Sequence, residues 1–124
     1  MEQPPQGCGT VFQVTPAGQE TVLYTFTGGT DGSEPSSALV MDSAGNLYGT
    51  TSYGGDPTCG YTGDGYTGCG TIFKIDTAGT FSVLYTFGSD GAYPGNLILD
   101  DAGNLYGTAA GGPGDSGIIF QLTP

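Results

Sequence analysis

The chain has almost no positive charge. Its 124 residues include no histidine and no arginine, and Lys74 is the single lysine, whereas 12 acidic residues give a formal net charge of −11. Because phosphate binding relies mainly on Lys and Arg, this balance argues against a nucleic-acid partner. The absence of histidine excludes His-based catalytic triads, imidazole metal sites and histidine pH switches. Carboxylate chemistry is not excluded.

Long apolar runs are also missing. No stretch approaches the roughly 18 apolar residues of a membrane span, so the sequence predicts no transmembrane segment. The first seven residues, Met1 to Gly7, lack the charged start and apolar middle of a secretion signal. A chain of 124 residues that is 36% hydrophobic has enough apolar material for one compact domain, so we predict a single module over residues 1–124.

Glycine and proline are abundant, with 25 and 8 copies, but this composition does not indicate disorder. Eight tyrosines, six phenylalanines and many β-branched residues lie in short runs between glycine-rich turns. This alternation is typical of an all-β protein with frequent chain reversals.

An internal repeat organises the chain, and it predicts the architecture more directly than any single strand does. Two full copies and the start of a third are recognisable, which we place at residues 7–67, 68–115 and 116–124. The matching stretches are Gly7–Gly18 with Gly68–Gly79, Val22–Phe26 with Val83–Phe87, Leu39–Thr50 with Leu97–Thr108, and Ser116–Leu122 with the start of both repeats.

Each full repeat contains four candidate strands, and a ninth lies in the partial copy. The predicted strands are Thr10 to Val14, Thr21 to Phe26, Ala38 to Asp42, Asn46 to Thr51, Thr71 to Asp76, Phe81 to Phe87, Asn96 to Asp100, Asn104 to Ala109 and Gly117 to Leu122. Tight Ala-Gly links between alternate strands favour antiparallel hairpins. Four-stranded antiparallel meanders that repeat in this way are the blades of a β-propeller, so we predict about two blades plus one extra strand.

The repeated motifs resemble a known family. Gly-Cys-Gly-Thr-Val-Phe, Val-Leu-Tyr-Thr-Phe and Asp-x-x-Gly-Asn-Leu-Tyr-Gly-Thr look like the GloVer tandem repeats of bacterial cell-surface proteins of the "choice-of-anchor" type, and the resemblance runs from Gly7 to Leu122. The Asp-x-x-Gly-Asn-Leu-Tyr hairpin is also similar to NHL-type blades. The resemblance implies a propeller-like, extracellular repeat protein without an assigned molecular role.

Two blades are too few to close a propeller, which usually has about four to eight. The NHL resemblance makes Ala38 to Asp42 an innermost strand, so the chain reads as two outer strands, one complete blade and three inner strands. We therefore predict a head-to-tail homo-oligomeric ring, with three or four copies favoured over two, in which Val22 to Phe26 completes the blade begun at Leu97. The alternative is that the chain is an excised fragment of a larger surface propeller, because Thr10 to Val14 and Gly117 to Leu122 occupy the same repeat position.

The longer links between strands are predicted to lie at one end of the sheets, because alternate connections of a meander emerge at opposite ends. We call this end the loop rim; it comprises Thr27 to Ser37, Ser52 to Gly70, Gly88 to Gly95 and Ala110 to Ser116. Its tyrosines and carboxylates suit a carbohydrate ligand, since sugar C–H faces pack on aromatic rings and hydroxyls donate to oxygen acceptors. The candidate ligand-binding residues are Tyr53, Tyr61, Tyr66, Tyr93, Asp31, Asp56, Asp64 and Asp90, with Glu34 and Asp115 on the same rim.

The carboxylates of the chain also suit other roles: calcium binding, turn capping and glycan hydrolysis. The rim carboxylates are also suited to Ca²⁺, although Asp56 to Asp64 and Asp31 to Glu34 match neither the EF-hand nor the nonapeptide repeat pattern. Asp42 and Asp100 recur at equivalent positions, where we predict that they accept hydrogen bonds from turn amides. A glycan-acting hydrolase fragment is the least favoured alternative, because nothing fixes two carboxyls across a cleft. We therefore predict a non-enzymatic protein that requires no cofactor.

The three cysteines predict one disulfide. Cys8 and Cys69 occupy equivalent positions on different repeats, and the spacing of stacked sheets, about 10 Å, exceeds the reach of a disulfide. Cys59 and Cys69 bracket a short extra loop, so we predict that they form the bridge, leaving Cys8 as a thiol or for an intermolecular bond. A disulfide suits an oxidising, extracytoplasmic compartment. Three thiols without a fourth ligand do not make a zinc site.

Overall fold

The structure, a computed structural model, describes residues 7–59, 68–88, 91–111 and 116–124, and within these ranges it contains β-strands but no helix. Short runs of β-branched and aromatic residues between glycine turns form nine strands there. They are β1 Thr10–Val14, β2 Glu20–Thr25, β3 Val40–Met41, β4 Leu47–Thr51, β5 Thr71–Ile75, β6 Phe81–Thr86, β7 Leu97–Leu99, β8 Leu105–Ala109 and β9 Ile118–Leu122.

The strands form three antiparallel sheets in chain order. The first sheet contains β1 and β2, the second contains β3 to β6, and the third contains β7 to β9. Every pairing joins strands that are adjacent in sequence, so each sheet is a simple meander. The predicted all-β class and the division into two, four and three strands are both confirmed.

Several predicted strands are longer than the observed ones. Two repeated aspartates explain the difference at the C-terminal ends of β3 and β7. Asp42 accepts hydrogen bonds from the amides of Ala44 at 3.0 Å and Asn46 at 2.9 Å, so it belongs to the turn after β3. Asp100 makes the same bonds in the turn after β7. The predicted strands Ala38 to Asp42 and Asn96 to Asp100 therefore end before their aspartates, and they also begin later than predicted, at Val40 and Leu97.

These turn bonds also set the ionisation of both carboxyls. Hydrogen bonds from the Asn46 side chain and backbone lower the pKa of Asp42 to about 2, and Tyr48 donates to it as well. The pKa of Asp100 is lowered in the same direction, first by the Asn104 backbone and side chain. A carboxylate that serves several donors within its own turn is structural, as the sequence predicts for these two residues.

The core consists of two apolar clusters, one between each pair of successive sheets. The first junction, between the first and second sheets, buries Val11, Phe26, Phe73 and Ile75. The second junction, between the second and third sheets, buries Tyr48, Cys69, Ile72, Phe87, Leu97, Leu105 and Ala109. Adjacent residues of β5 point to opposite faces, so Phe73 packs in the first junction and Ile72 in the second. The second sheet is thus covered on both faces, whereas each outer sheet is covered on one.

Candidate functional site

The longer loops do meet at the predicted loop rim. Two isolated β-bridges link them, Ser33 with Tyr53 and Ala92 with Ala110. The Ser33 amide donates to the Tyr53 carbonyl at 2.8 Å, and the Tyr53 amide donates back at 3.1 Å. These backbone bonds hold the loops as extensions of the sheets, so the side chains that they carry have defined positions.

Two predicted ligand residues come together on this rim. The rings of Tyr53 and Tyr93 form an edge-to-face pair with centroids 5.4 Å apart and an interplanar angle of 65°. The amide of Tyr93 donates to the carbonyl of Cys69 at 2.8 Å. This pair is the one aromatic contact between predicted rim residues within the described ranges.

Buried threonine hydroxyls position the two tyrosines from below. Thr51 and Thr71 are fully buried and their hydroxyl oxygens lie 2.9 Å apart. The Thr51 hydroxyl donates to the Tyr53 carbonyl at 3.0 Å, and the Thr50 hydroxyl donates to the Gly95 carbonyl at 3.0 Å. The sequence signal for these threonines is the repeated Leu-Tyr-Gly-Thr motif, which ends at Thr50 and Thr108. Buried hydroxyls remain favourable only when they are hydrogen-bonded, so this network resists rearrangement of the loops above it.

Tyr93 has an unusual backbone conformation that it shares with one other residue. Its φ is +54°, and Glu34, at the equivalent repeat position, has φ +58°. Both residues precede a proline, and both are non-glycine residues in the left-handed region, which costs of order 1–3 kcal/mol. The loops impose the same strained conformation in both repeats while the side chain differs. Strain of this kind is common where a side chain must be presented in a set direction.

The Asp31 carboxylate accepts several hydrogen bonds from its own loop and from β2, and its role in ligand binding stays a prediction. Its carboxylate accepts bonds from the Tyr24 hydroxyl at 2.8 Å and from the amide and hydroxyl of Thr27 at 2.9 and 2.6 Å. Burial raises the pKa of Asp31, but the Thr27 and Tyr24 hydrogen bonds outweigh it and the pKa is lowered. Burial, then the Asp31 bond, raises the pKa of Tyr24 to about 12. These hydrogen bonds hold the loop that contains Asp31 against β2.

The remaining carboxylate candidates are divided between the described and undescribed parts of the chain. Asp56 caps its own turn, accepting from the Thr58 amide at 2.9 Å and hydroxyl at 2.7 Å, so its role is local. Tyr61, Asp64, Tyr66 and Asp90 lie outside the described residues, as does Asp115. No group of three or more His, Cys, Asp or Glu residues in the described ranges is placed to hold a metal ion. The calcium hypothesis stays a prediction, since several of its carboxylates lie outside those ranges.

The structure contains the predicted Cys59–Cys69 disulfide, with Cα atoms 5.6 Å apart. The bridge closes the base of the extra loop, where the Gly68 amide also donates to the Cys59 carbonyl at 2.7 Å. Cys69 is buried in the second junction. The Cys69 carbonyl accepts a hydrogen bond from the Tyr93 amide, so the disulfide also restricts movement of the Tyr53–Tyr93 pair.

A second candidate surface lies at each end of the stack of sheets. The face of the first sheet that points away from the second carries Phe12, Val14 and Val22, all about half exposed; we call it the leading face. The corresponding face of the third sheet carries Ile98 and Ile119; we call it the trailing face. Both faces present exposed apolar side chains on strands, with the polar residues Glu20 and Gln121 beside them.

Equivalent residues of the repeats show that these two faces are suited to packing against another sheet. Phe12 is 53% exposed, whereas Phe73, its equivalent in the second repeat, is 0% exposed. Ile119 is 84% exposed, whereas its equivalent Ile72 is 1% exposed. The same side chains are thus buried wherever a neighbouring sheet is present.

Comparison with known proteins gives one result at the level of the family. No helix in the described residues is long and apolar enough to cross a membrane. Neither a curated protein nor a solved structure matches the chain significantly. Residues 2–124, nearly the whole chain, match the Gloeobacter/Verrucomicrobia repeat, as the GloVer resemblance predicts. The chain therefore belongs to the Gloeobacter/Verrucomicrobia repeat family.

Proposed function

We propose that this chain is a non-catalytic repeat module that associates head to tail with further copies of itself to form a closed β-propeller ring, acting as an extracellular scaffold. The observation that carries the proposal is the contrast between equivalent residues, buried at the internal junctions and exposed at the two ends. Large exposed apolar faces commonly mark interaction sites. The disulfide supports an oxidising location outside the cytoplasm.

The internal junctions serve as the template for the contact between copies. At the first junction, Val11 of the first sheet packs in one cluster with Phe73 of the second. By repeat equivalence, Ile119 on the trailing face of one copy packs against Phe12 on the leading face of the next. This is a heterologous contact, which forms a closed ring when its rotation closes.

The number of copies in a closed ring depends on whether each of the three sheets forms a separate blade. With three sheets in each chain, two copies supply six, within the usual range of about four to eight blades. If Val22 to Phe26 instead completes the third sheet, each copy supplies two blades, and two, three or four copies supply four, six or eight. An assembly of three or four chains therefore favours strand completion, whereas a dimer fits both arrangements.

We predict that analytical ultracentrifugation of the wild-type chain at micromolar concentration gives one discrete mass of two or more chains. Ile119→Asp should reduce the particle to one chain, because a charge in the packed junction loses its hydration. Ala102→Asp is the matched control, since it adds the same charge on an exposed turn and should leave the assembly intact. A wild-type chain that sediments as a single copy throughout this range overturns the proposal.

Carbohydrate binding is a second candidate function, and the Tyr53–Tyr93 pair favours it. The two rings are held by backbone and threonine bonds at a site where the loops meet. Glu34 is exposed and its carbonyl accepts the Ser52 amide at 3.0 Å, beside Tyr53, so a carboxylate lies on the same rim. Aromatic faces with an adjacent acceptor are the groups that bind a sugar.

A glycan array tests this candidate with a pair of glycine variants. Tyr93→Gly should abolish binding while changing the free energy of unfolding by less than about 1 kcal/mol, because glycine accepts a φ of +54° without strain. Glu34→Gly makes the same backbone change at the equivalent position; because it removes the adjacent carboxylate but leaves the tyrosine pair intact, it should weaken binding without abolishing it. An array without any bound glycan, or binding that survives Tyr93→Gly, contradicts the candidate.

A further inference from the structure

The charge of the loop rim is one-sided. Lys74 is the only residue with a positively charged side chain, and it is the fourth residue of β5, close to the end of the sheet that carries the tight turns. Its ammonium lies 6.0 Å from the centroid of the Tyr48 ring, whose hydroxyl donates to Asp42 in one of those turns. The rim therefore has carboxylates but no side-chain cation to balance them.

Glu34 differs from the other two carboxylates on the described part of the rim. Asp31 and Asp56 accept hydrogen bonds from residues of their own loops. The Glu34 side chain is exposed, and no described residue donates to its carboxylate. A ligand cation can therefore pair with Glu34 without displacing an internal hydrogen bond.

Glu34 and the two rim tyrosines come from three different loops that meet. The Glu34 carbonyl accepts the Ser52 amide at 3.0 Å, and the preceding residue, Ser33, forms the bridge with Tyr53. Tyr53 in turn contacts the ring of Tyr93. The carboxylate and the two rings are thus neighbours on one surface, although they are far apart in sequence.

The two rings are arranged to receive a compact group. Their centroids are 5.4 Å apart and their planes lie at 65° to each other, so they form two walls at an angle instead of one flat platform. The Tyr93 side chain remains 40% exposed. The face of a tyrosine ring is negative, and it attracts an ammonium group within about 6 Å of its centroid.

We propose that the ligand of this rim is an amino sugar whose free ammonium binds between the Tyr53 and Tyr93 rings and pairs with the Glu34 carboxylate. The inference rests on the proposed carbohydrate binding and adds the chemical class of the sugar. A net charge of −11 attracts a cationic glycan to the surface and repels an acidic one. N-Acetylation removes the ammonium charge, so an acetylated sugar loses both the cation–π contact and the ion pair.

Three short oligosaccharides of equal length test the inference by titration calorimetry on the full chain. They are β-1,4-linked glucosamine with its amino groups protonated, the same oligomer fully N-acetylated, and galacturonate. We expect the glucosamine oligomer to bind about tenfold more tightly than the acetylated one in about 0.1 M salt, and galacturonate not to bind. The preference should shrink in about 1 M salt, where the Debye length falls to about 3 Å.

Three variants locate the ammonium on the protein. Glu34→Gln keeps the left-handed backbone, removes the charge and should abolish most of the preference for the free amine. Asp101→Asn is the matched control, because it removes one carboxylate from an exposed turn away from the rim and should leave the preference unchanged. Tyr93→Gly should abolish the preference altogether.

The outcomes separate this inference from the function on which it rests. Binding of the acetylated oligomer that equals or exceeds that of glucosamine, and that requires Tyr93, keeps carbohydrate binding and overturns the amino-sugar assignment. General attraction between a cationic oligomer and an acidic chain would survive Tyr93→Gly and respond equally to Glu34→Gln and Asp101→Asn, which also overturns it. No binding of any of the oligomers at millimolar concentration overturns both proposals.

Discussion

Phe73→Ala is expected to lower the free energy of unfolding by about 3–5 kcal/mol, whereas Phe12→Ala should lower it by less than about 1 kcal/mol. The two substitutions remove the same side chain from the same repeat position. Phe73 is fully buried and contacts the rings of Phe26 and Phe81, so its loss leaves a cavity. Phe12 lies on the leading face, where a truncation leaves none. Guanidinium denaturation in dilute solution measures both values.

Measurements at several protein concentrations are the control for the Phe73→Ala and Phe12→Ala variants. Where copies associate through the leading face, Phe12→Ala should weaken the association while Phe73→Ala still acts on the single chain. A Phe12→Ala variant that is as unstable as Phe73→Ala in dilute solution contradicts the assignment of Phe12 to an uncovered face. If Phe12→Ala changes neither stability nor mass at any concentration, the leading face is not the contact between copies.

Much of the fold was predictable because the repeat carries it. The two copies align residue by residue, so a strand recognised in one repeat also identifies its counterpart. In the folded chain, the adjacent residues Ile72 and Phe73 of β5 pack in different clusters, one on each face of the sheet. The predicted ends of the strands were less accurate. Asp42 and Asp100 directly follow apolar strand residues, but their carboxylates accept hydrogen bonds from turn amides.

The loop rim was predictable only in part. Parity placed Tyr53 and Tyr93 at the same end of the sheets, but their contact depends on loop conformations that have no periodic pattern. Those conformations follow from long-range bonds, such as the Thr50 hydroxyl to the Gly95 carbonyl, between residues far apart in sequence. The partners of Asp31, Tyr24 and Thr27, are likewise identified only by the folded geometry.

The position of each sheet in the stack explains the proposed self-association. A sheet has two faces, and the repeat supplies apolar residues suited to packing on both wherever a neighbouring sheet exists. The internal second sheet has both faces covered, and β5 has both edges paired. Among the described residues, each end sheet has one face without a neighbouring sheet. Residues whose repeat equivalents are buried inside the stack are therefore exposed at its ends, which is where we propose that further copies bind.

Gly68→Ala is expected to lower the free energy of unfolding by about 3 kcal/mol or more, combining a strained φ with a backbone overlap. Gly68 has φ +88°, and a Cβ there would collide with the backbone of Gly54. This contact is between main chains, so no side chain can rotate away. Any displacement would move Cys69, whose carbonyl holds Tyr93, so the tyrosine pair should separate as well.

Gly18→Ala is the matched control, because Gly18 has the same φ of +88° with nothing within 4 Å of the added Cβ. It should cost about 1–2 kcal/mol, the backbone strain alone. The difference between the two variants in guanidinium denaturation therefore isolates the close approach of Gly54 and Gly68. Equal losses would show that the loop yields freely, in which case it does not hold the tyrosine pair in place.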